Sequence, residues 1–165
     1  MVDYDIDSDG IGFAKKRLEE LSQGRRLIND IGSLSLEGLQ IVRIQRGSIL
    51  CNLVVPEHLA DHSSGNWHVG AMTTLIDLVG GLTLVSSTGR WARYTVTVNL
   101  SVSFLSTVKI GEEVEIEAKV LDRRGKLSST IVEVRRKENT EMVALGKQWI
   151  SQVKVDRSQP SRSKL

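Results

Sequence analysis

The amino-acid sequence predicts an α+β fold, in which a curved antiparallel sheet of about six strands wraps around one long buried helix. Two observations carry this prediction. Residues 69–85 form a continuous run of apolar and small side chains, which is typical of a helix buried on all sides. Strand-like segments joined by short turns stand on both sides of that run. With 165 residues, the chain is long enough for one domain with a substantial hydrophobic core.

The region before the central helix is predicted to hold a shorter helix and two strands. Residues 1–10 are a polar leader that we expect to be disordered, whereas 11–22 place apolar side chains on one helical stripe. Residues 34–55 alternate in the manner of two strands that meet near Arg46 and Gly47. The domain is therefore expected to begin at residue 11.

The region after the central helix is predicted to hold four strands, at 94–104, 113–121, 127–136 and 142–153. The first has the clearest alternation, and its apolar even-numbered residues are expected to share one face. The domain is expected to end at residue 153. The residues predicted to face inward in the first two strands are Tyr94, Val96, Val98, Leu100, Val102, Phe104, Val114, Ile116, Ala118 and Val120.

Composition argues against several classes of protein. The formal net charge of +2 offers no case for a nucleic-acid partner. Cys51 is the only cysteine, so there is neither an intramolecular disulfide nor a cysteine cluster for zinc. The first ten residues are acidic and polar, which does not indicate a secretory signal. Asp77 and the glycines of the apolar run argue against a membrane span.

The last residues indicate a cellular address. Residues 154–165 are predicted to form a flexible tail, which ends in Ser163-Lys164-Leu165. A terminal Ser-Lys-Leu is read by the peroxisomal import receptor. The sequence therefore predicts a peroxisomal protein, and the alternative is a basic tail that matches the address by chance.

Asp77 is the first functional indication, because a carboxylate in a buried helix is costly unless it is paired or used. A glycine-bearing loop with His68 precedes the helix. Backbone N–H groups at a helix N-terminus lack intrahelical acceptors and suit a developing oxyanion. A structural, hydrogen-bonded role for Asp77 and a helix-start role for His68 are the alternatives.

The order of elements is the arrangement called the hotdog fold, and the edges of such a sheet are open to pairing. We expect two copies to pair these edges in a dimer, or in a dimer of dimers that makes a homotetramer. Residues 67–71, the helix with Asp77 and the stretch 96–112 resemble the small hotdog-fold acyl-CoA thioesterases. These include the mammalian thioesterase superfamily member 2 group, its plant relatives and the bacterial phenylacetate-pathway thioesterases.

The resemblance implies hydrolysis of acyl-CoA to free acid and CoA, in lipid metabolism, with a role for each motif residue. Asp77 would act across a dimer interface as the general base, or orient the attacking water. The N–H of Val69, where the family usually has glycine after the motif histidine His68, would hold the thioester carbonyl oxygen. Thr97 stands where the family has a serine that helps to hold the water.

The chain departs from the family at a further position. The mammalian group has a catalytic asparagine six residues before the motif histidine, where this chain has His62. Either His62 donates a hydrogen bond in place of that amide, or the site differs in substrate or rate. Arg123, Arg124 and Lys126 would bind the CoA phosphates, and the alternative is that they only form a solvated turn. The candidate substrate contacts are Asn66, Gly70, Arg123, Arg124 and Lys126.

The implied scheme requires no metal and no cofactor, because coenzyme A is part of the substrate. His58, His62 and His68 have spacings that could cluster, but no acidic or thiol pattern completes a known metal site. Two other functions stay open. An enoyl-CoA hydratase would act better on enoyl-CoA than on saturated thioesters, and a CoA-ester binding module would bind acyl-CoA without turnover.

Overall fold

The computed structural model describes residues 10–23, 31–88 and 95–153. Residues 1–9 of the predicted leader, the strand residue Tyr94 and the tail 154–165 lie outside the described residues. In chain order the elements are α1 (Gly10–Ser22), α2 (Ile31–Leu36), β1 (Gln40–Gln45), β2 (Ser48–Val54), a 3₁₀ turn (Glu57–Leu59), α3 (Val69–Thr88), β3 (Thr95–Phe104), β4 (Glu113–Arg124), β5 (Leu127–Arg136) and β6 (Met142–Gln152).

The six strands form one sheet in the order β1-β2-β4-β5-β6-β3, and every neighbouring pair is antiparallel. Helix α3 contacts all six strands, while α1 and α2 pack against α3. The predicted hotdog fold is therefore confirmed. Strands β1 and β3 are the edges of this sheet, and β6 is the strand to which β3 is hydrogen-bonded.

Helix α3 lies very close to the sheet because glycines remove side chains at two crossing points. A Cβ atom on Gly80 would overlap the side-chain amide of Gln148, and a Cβ on Gly146 of β6 would overlap Ile76. Any larger residue would push the helix and the sheet apart. This close approach positions the polar groups of α3 against those of β6.

The prediction that α3 is buried on all sides is wrong for one stripe. Thr73, Asp77 and Gly81, which follow one another at helical spacing, are only half-buried, and Val69 is 52% exposed. The sheet, α1 and α2 pack against the other faces of the helix. Helix α3 is long enough, and with a mean hydropathy of 1.6 apolar enough, to span a membrane. However, 56% of this apolar stretch is buried inside the domain.

The prediction of a strand beginning at residue 34 is also wrong. Residues Ile31–Leu36 form the short helix α2, and β1 begins only at Gln40. The alternation of serine and leucine in this stretch is misleading, because Ser33 and Ser35 are as buried as Leu36. Gly38, with a φ of 84°, then provides the left-handed turn that separates α2 from β1.

The predicted alternation of β3 is wrong in its first half, because the strand contains a β-bulge. The pairing of β3 with β6 shifts register between Thr97 and Asn99, so one extra residue reverses the alternation. Leu100 packs against the core as predicted, as does Val102, whereas Val96 and Val98 are 49% and 55% exposed. Phe104, at the end of the strand, is 44% exposed. In β4 the predicted inward residues are confirmed: Val114, Ile116 and Ala118 are fully buried and Val120 is half-buried.

Candidate active site

The bulge in β3 directs Thr97 towards the carboxylate of Asp77 on α3. The Thr97 Oγ1 atom lies 2.8 Å from Asp77 Oδ1. An ionised carboxylate can only accept hydrogen bonds, so the hydroxyl hydrogen of Thr97 is donated to Asp77. The structure thus brings together two of the residues that the sequence singled out.

A third polar residue, Gln148 on β6, completes this group. Its Nε2 atom donates to Asp77 Oδ1 and lies 2.9 Å from Thr97 Oγ1. Its Oε1 atom accepts a hydrogen bond of 3.2 Å from Thr130 Oγ1 on β5. Gln148 and Thr130 are 2% and 0% exposed, so the amide is held in the core with its donor side towards Asp77.

The two oxygens of Asp77 have different surroundings. Oδ1 receives hydrogen bonds from both Thr97 and Gln148, whereas Oδ2 has no hydrogen-bond partner among the residues that the structure describes. Asp77 lies on the half-exposed stripe of α3. The carboxylate is therefore anchored through one oxygen and open to a ligand through the other.

Sequence reasoning missed Gln148, although a signal was present. On β6, Gly146 and Ile150 face the buried side of the sheet, and Gln148 has the same parity between them. A long polar side chain at an inward position of a strand needs buried partners. Here those partners are Asp77, Thr97 and Thr130.

The first turn of α3 presents two unpaired backbone donors. The carbonyl of His68 accepts the Met72 N–H, and its ring Nδ1 atom accepts the Gly70 N–H at 3.0 Å, so His68 is the N-cap of the helix. A Cβ on Gly70 would lie 2.9 Å from the imidazole, so the cap requires glycine there. The N–H groups of Val69 and Ala71 have no acceptor among the described residues. Val69, and not Gly70, thus offers the N–H that a bound oxyanion needs.

Within one chain, this donor and the Asp77 carboxylate do not meet. They are eight residues apart on α3, which corresponds to about 12 Å along the helix axis. A thioester carbonyl bound at Val69 is too far from Asp77 of the same chain for a shared water. Each chain therefore carries two separate half-sites along one stripe of α3.

The loop before α3 holds two other predicted residues. Asp61 shapes it by accepting a 2.9 Å hydrogen bond from the Ser63 N–H, which is the main cause that lowers the pKa of this carboxyl. His62 is exposed in this turn and makes no hydrogen bond with a described residue. Asn66 is half-buried and pairs its backbone with Lys109, a cation at this end of α3 that sequence reasoning missed.

The predicted phosphate-binding residues Arg123, Arg124 and Lys126 lie at the opposite end of the domain. On β4, the strand that leads to these residues, the Val120 N–H donates to the Gly47 carbonyl. The Gly47 N–H in turn donates to the hydroxyl of Ser86, which lies in the last turns of α3. Ser86 is seventeen residues beyond Val69, or about 25 Å along the helix. A single chain does not bring these cations to the donor at Val69.

Two other chemistries find no support among the described residues. Cys51 is fully buried on β2, and this burial raises the pKa of its thiol to about 12. The thiol therefore stays protonated at neutral pH, which does not suit a nucleophile. Within residues 10–23, 31–88 and 95–153, no three His, Cys, Asp or Glu side chains are grouped to hold a metal ion.

The resemblance to the small hotdog thioesterases is confirmed by comparison with known proteins. Residues 64–143, which include the N-terminus of α3, Asp77 and Thr97, match the family model described as the thioesterase superfamily. Over these residues the chain is similar to that superfamily.

More particular matches come from two named relatives. Human acyl-coenzyme A thioesterase 13 is 26% identical over 132 residues, which cover 79% of this chain and 87% of that protein. A Caenorhabditis elegans protein that carries the name esterase, F42H10.6, is 32% identical over 121 residues. This match covers 70% of the chain and 66% of the worm protein, so the chain spans about two thirds of that relative's length.

Solved structures support the fold. Zebrafish thioesterase superfamily member 2 superposes with a TM-score of 0.74 at 20% identity, covering 87% of this chain and 98% of that one. A Streptococcus mutans protein solved with acetyl-CoA bound superposes with a TM-score of 0.64 at 20% identity. It covers 71% of this chain and 90% of its own.

Proposed function

We propose that this protein hydrolyses acyl-CoA thioesters to the free carboxylic acid and CoA. The observation that carries the proposal is the Asp77 carboxylate, which two hydrogen bonds hold through Oδ1, while Oδ2 has no hydrogen-bond partner in residues 10–23, 31–88 and 95–153. The thioesterase relatives and the acetyl-CoA bound to one structural neighbour favour a CoA thioester as the ligand. A general base beside a helix N-terminus is suited to acyl transfer to water.

The reaction follows from the two half-sites. The thioester carbonyl oxygen accepts a hydrogen bond from the Val69 N–H, where the positive end of α3 stabilises the developing oxyanion. Asp77 Oδ2 takes a proton from water while the water oxygen bonds to the carbonyl carbon. The carbon–sulfur bond then breaks and CoA leaves as a thiolate. The proton held by Asp77 passes to this thiolate, which restores the carboxylate.

Thr97 acts on the water only as an acceptor in this scheme. Its one hydroxyl hydrogen is donated to Asp77 Oδ1, and Gln148 donates to its oxygen, which leaves one lone pair for the water. Thr97 and Gln148 together keep the carboxylate in one orientation. His68 caps α3, which keeps Gly70 from competing with Val69 for the substrate oxygen.

We propose a dimer, or a dimer of dimers, in which Asp77 of one chain faces Val69 of the other. The half-exposed stripe of α3 lies beside the edge strand β3, where Val96 and Val98 are exposed. An apolar sheet edge of this kind is commonly covered by a second copy. Such pairing would also bring Arg123, Arg124 and Lys126 of one chain closer to the α3 N-terminus of its partner.

Mixed dimers test this arrangement. We expect Asp77→Asn and Val69→Pro chains to be inactive alone but active when refolded together. Random pairing makes half of the dimers mixed, with one intact site of two, so activity should recover to about a quarter of wild type. Thiol release after co-refolding measures it, with each variant refolded alone as the control. If mixing restores nothing although mixed dimers form, the site lies within one chain.

Gln148→Leu is expected to lower kcat by roughly 10- to 100-fold with little change in KM, because a misplaced base slows chemistry more than binding. Gln148→Glu should recover activity as the pH falls, since only a protonated glutamic acid can donate to Asp77. Steady-state thiol release across a pH series measures both variants. Gln40→Leu, on the exposed edge strand β1, is the matched control. An unchanged kcat in Gln148→Leu would show that Gln148 serves packing alone.

The direct test of function is thiol release by the wild-type protein from short, long and aromatic acyl-CoAs. Turnover of saturated thioesters supports the proposal. Faster conversion of enoyl-CoA would indicate a hydratase, and tight acyl-CoA binding without thiol release would indicate a binding module. Peroxisomal import is a separate proposal, which holds if Leu165 ends the chain; removal of residues 163–165 from a fluorescent fusion tests it.

A further inference from the structure

A cavity of about 470 Å³ lies between α2, the 3₁₀ turn and the first turn of α3. It has no part in the hydrolysis described above, although it begins at residues beside the Val69 donor. Its volume falls in the range of small-molecule sites. The lining residues are Ile31, Leu34, Ser35, His58, Leu59, Ala60, His68, Gly70 and Ala71.

The chemistry of the cavity wall is apolar. The side chains of Ile31, Leu34, Leu59, Ala60 and Ala71 are hydrocarbon, and among the residues that the structure describes the lining contains no carboxylate, lysine or arginine. The Nε2 atom of His58 is bonded to the Leu34 carbonyl at 2.9 Å, and Nδ1 of His68 is used by Gly70. A phosphate group or an amide-rich chain would find few partners here, whereas a hydrocarbon chain would lose contact with water.

The cavity also lies beside the Val69 N–H, which is the proposed donor to the thioester carbonyl. Gly70 and Ala71, which directly follow Val69 on α3, line the cavity together with residues of α2. A carbonyl bound at the Val69 N–H has two substituents, the acyl chain and the sulfur of CoA. The apolar substituent can enter this cavity while the sulfur and the polar CoA arm stay outside.

We infer that this cavity is the acyl pocket, and that the substrates are thioesters of uncharged apolar acids whose length the cavity limits. This inference rests on the proposed thioester hydrolysis. It assigns a role to α2, which is fastened to the 3₁₀ turn through the hydrogen bond between His58 and Leu34. Leu34 on α2 and Ala71 on α3 both line the pocket, so a change of side-chain size at either position should change the space available to the acyl chain.

The experiment compares kcat/KM for saturated acyl-CoAs from acetyl- to palmitoyl-CoA. For the wild type we expect a rise of about fourfold per methylene group until the chain fills the cavity. Ala71→Leu should move the optimum to shorter chains, and Leu34→Ala should move it to longer ones. A chain that ends in a carboxylate should react at least tenfold more slowly than an uncharged chain of equal length, because its charge would be buried. Val42→Leu, on the exposed edge β1, should leave the profile unchanged.

The outcomes separate this inference from the proposed function. If the wild type hydrolyses no thioester, the proposed function fails. If it hydrolyses them but neither variant shifts the chain-length profile, the cavity is not the acyl pocket. An equal loss at every chain length, with weaker inhibition by free CoA, would assign the cavity to the CoA arm instead. If a variant does not fold, the rates of the wild-type protein on charged and uncharged acyl groups still test whether the acyl pocket is apolar.

Discussion

Asp77→Asn is expected to lower kcat for thioester hydrolysis by roughly 10²- to 10⁴-fold, the usual contribution of a general base. Asparagine keeps an oxygen that can accept from Thr97 and Gln148, so the protein should stay folded. It cannot take a proton from water. Thiol release under saturating acyl-CoA measures the loss, and circular dichroism during heating checks the fold.

A matched control separates this effect from the loss of a negative charge. Glu117→Gln removes a carboxylate on β4 that is paired with Lys119. Such exposed pairs contribute little to stability, so hydrolysis should stay at the wild-type rate. Full activity in Asp77→Asn would remove Asp77 from the chemistry and leave it as a structural carboxylate in the buried group with Gln148.

Val69→Pro is expected to lower kcat by roughly 10²- to 10³-fold, the effect of removing one oxyanion donor. Proline has no backbone N–H but is well tolerated at the first position of a helix, which Val69 occupies in α3. The substitution therefore removes the donor and keeps the helix. Thiol release and the helical circular dichroism signal together measure the result.

Val69→Ala is the control, because it shortens the side chain but keeps the N–H. We expect it to retain most of the wild-type kcat. If Val69→Pro and Val69→Ala were equally active, the carbonyl oxygen would be held elsewhere. If both were equally impaired, the exposed Val69 side chain, through a contact with the partner chain, would matter more than its backbone.

The sequence predicted the parts of the site that depend on local pattern. An apolar run with one carboxylate identified α3 and Asp77, and the motif before the helix identified its N-terminus. The partnership of Asp77 with Gln148 was not predictable in this way, because it joins residues 71 positions apart. It depends on which face of β6 is turned to α3, and strand register is a tertiary property.

Two local features misled the sequence reading for different physical reasons. A six-residue helix such as α2 is too short to show a helical period, and its buried serines imitate a strand. The bulge in β3 is a single extra residue that no pattern in one sequence reveals. Thr97 was assigned by resemblance, whereas the alternation alone placed it on the wrong face.

The pairing of β3 with β6 links activity to the order in which the chain is made. Within the described sheet, β3 is hydrogen-bonded to β6 alone, although β3 begins at Thr95 and β6 only at Met142. Thr97 can therefore reach its position only after the last strand has been synthesised and docked. Gln148 belongs to that same strand. A nascent or truncated chain without β6 would keep the helix N-terminus, but Asp77 would lack the support of Thr97 and Gln148. The proposed hydrolysis would therefore require β6.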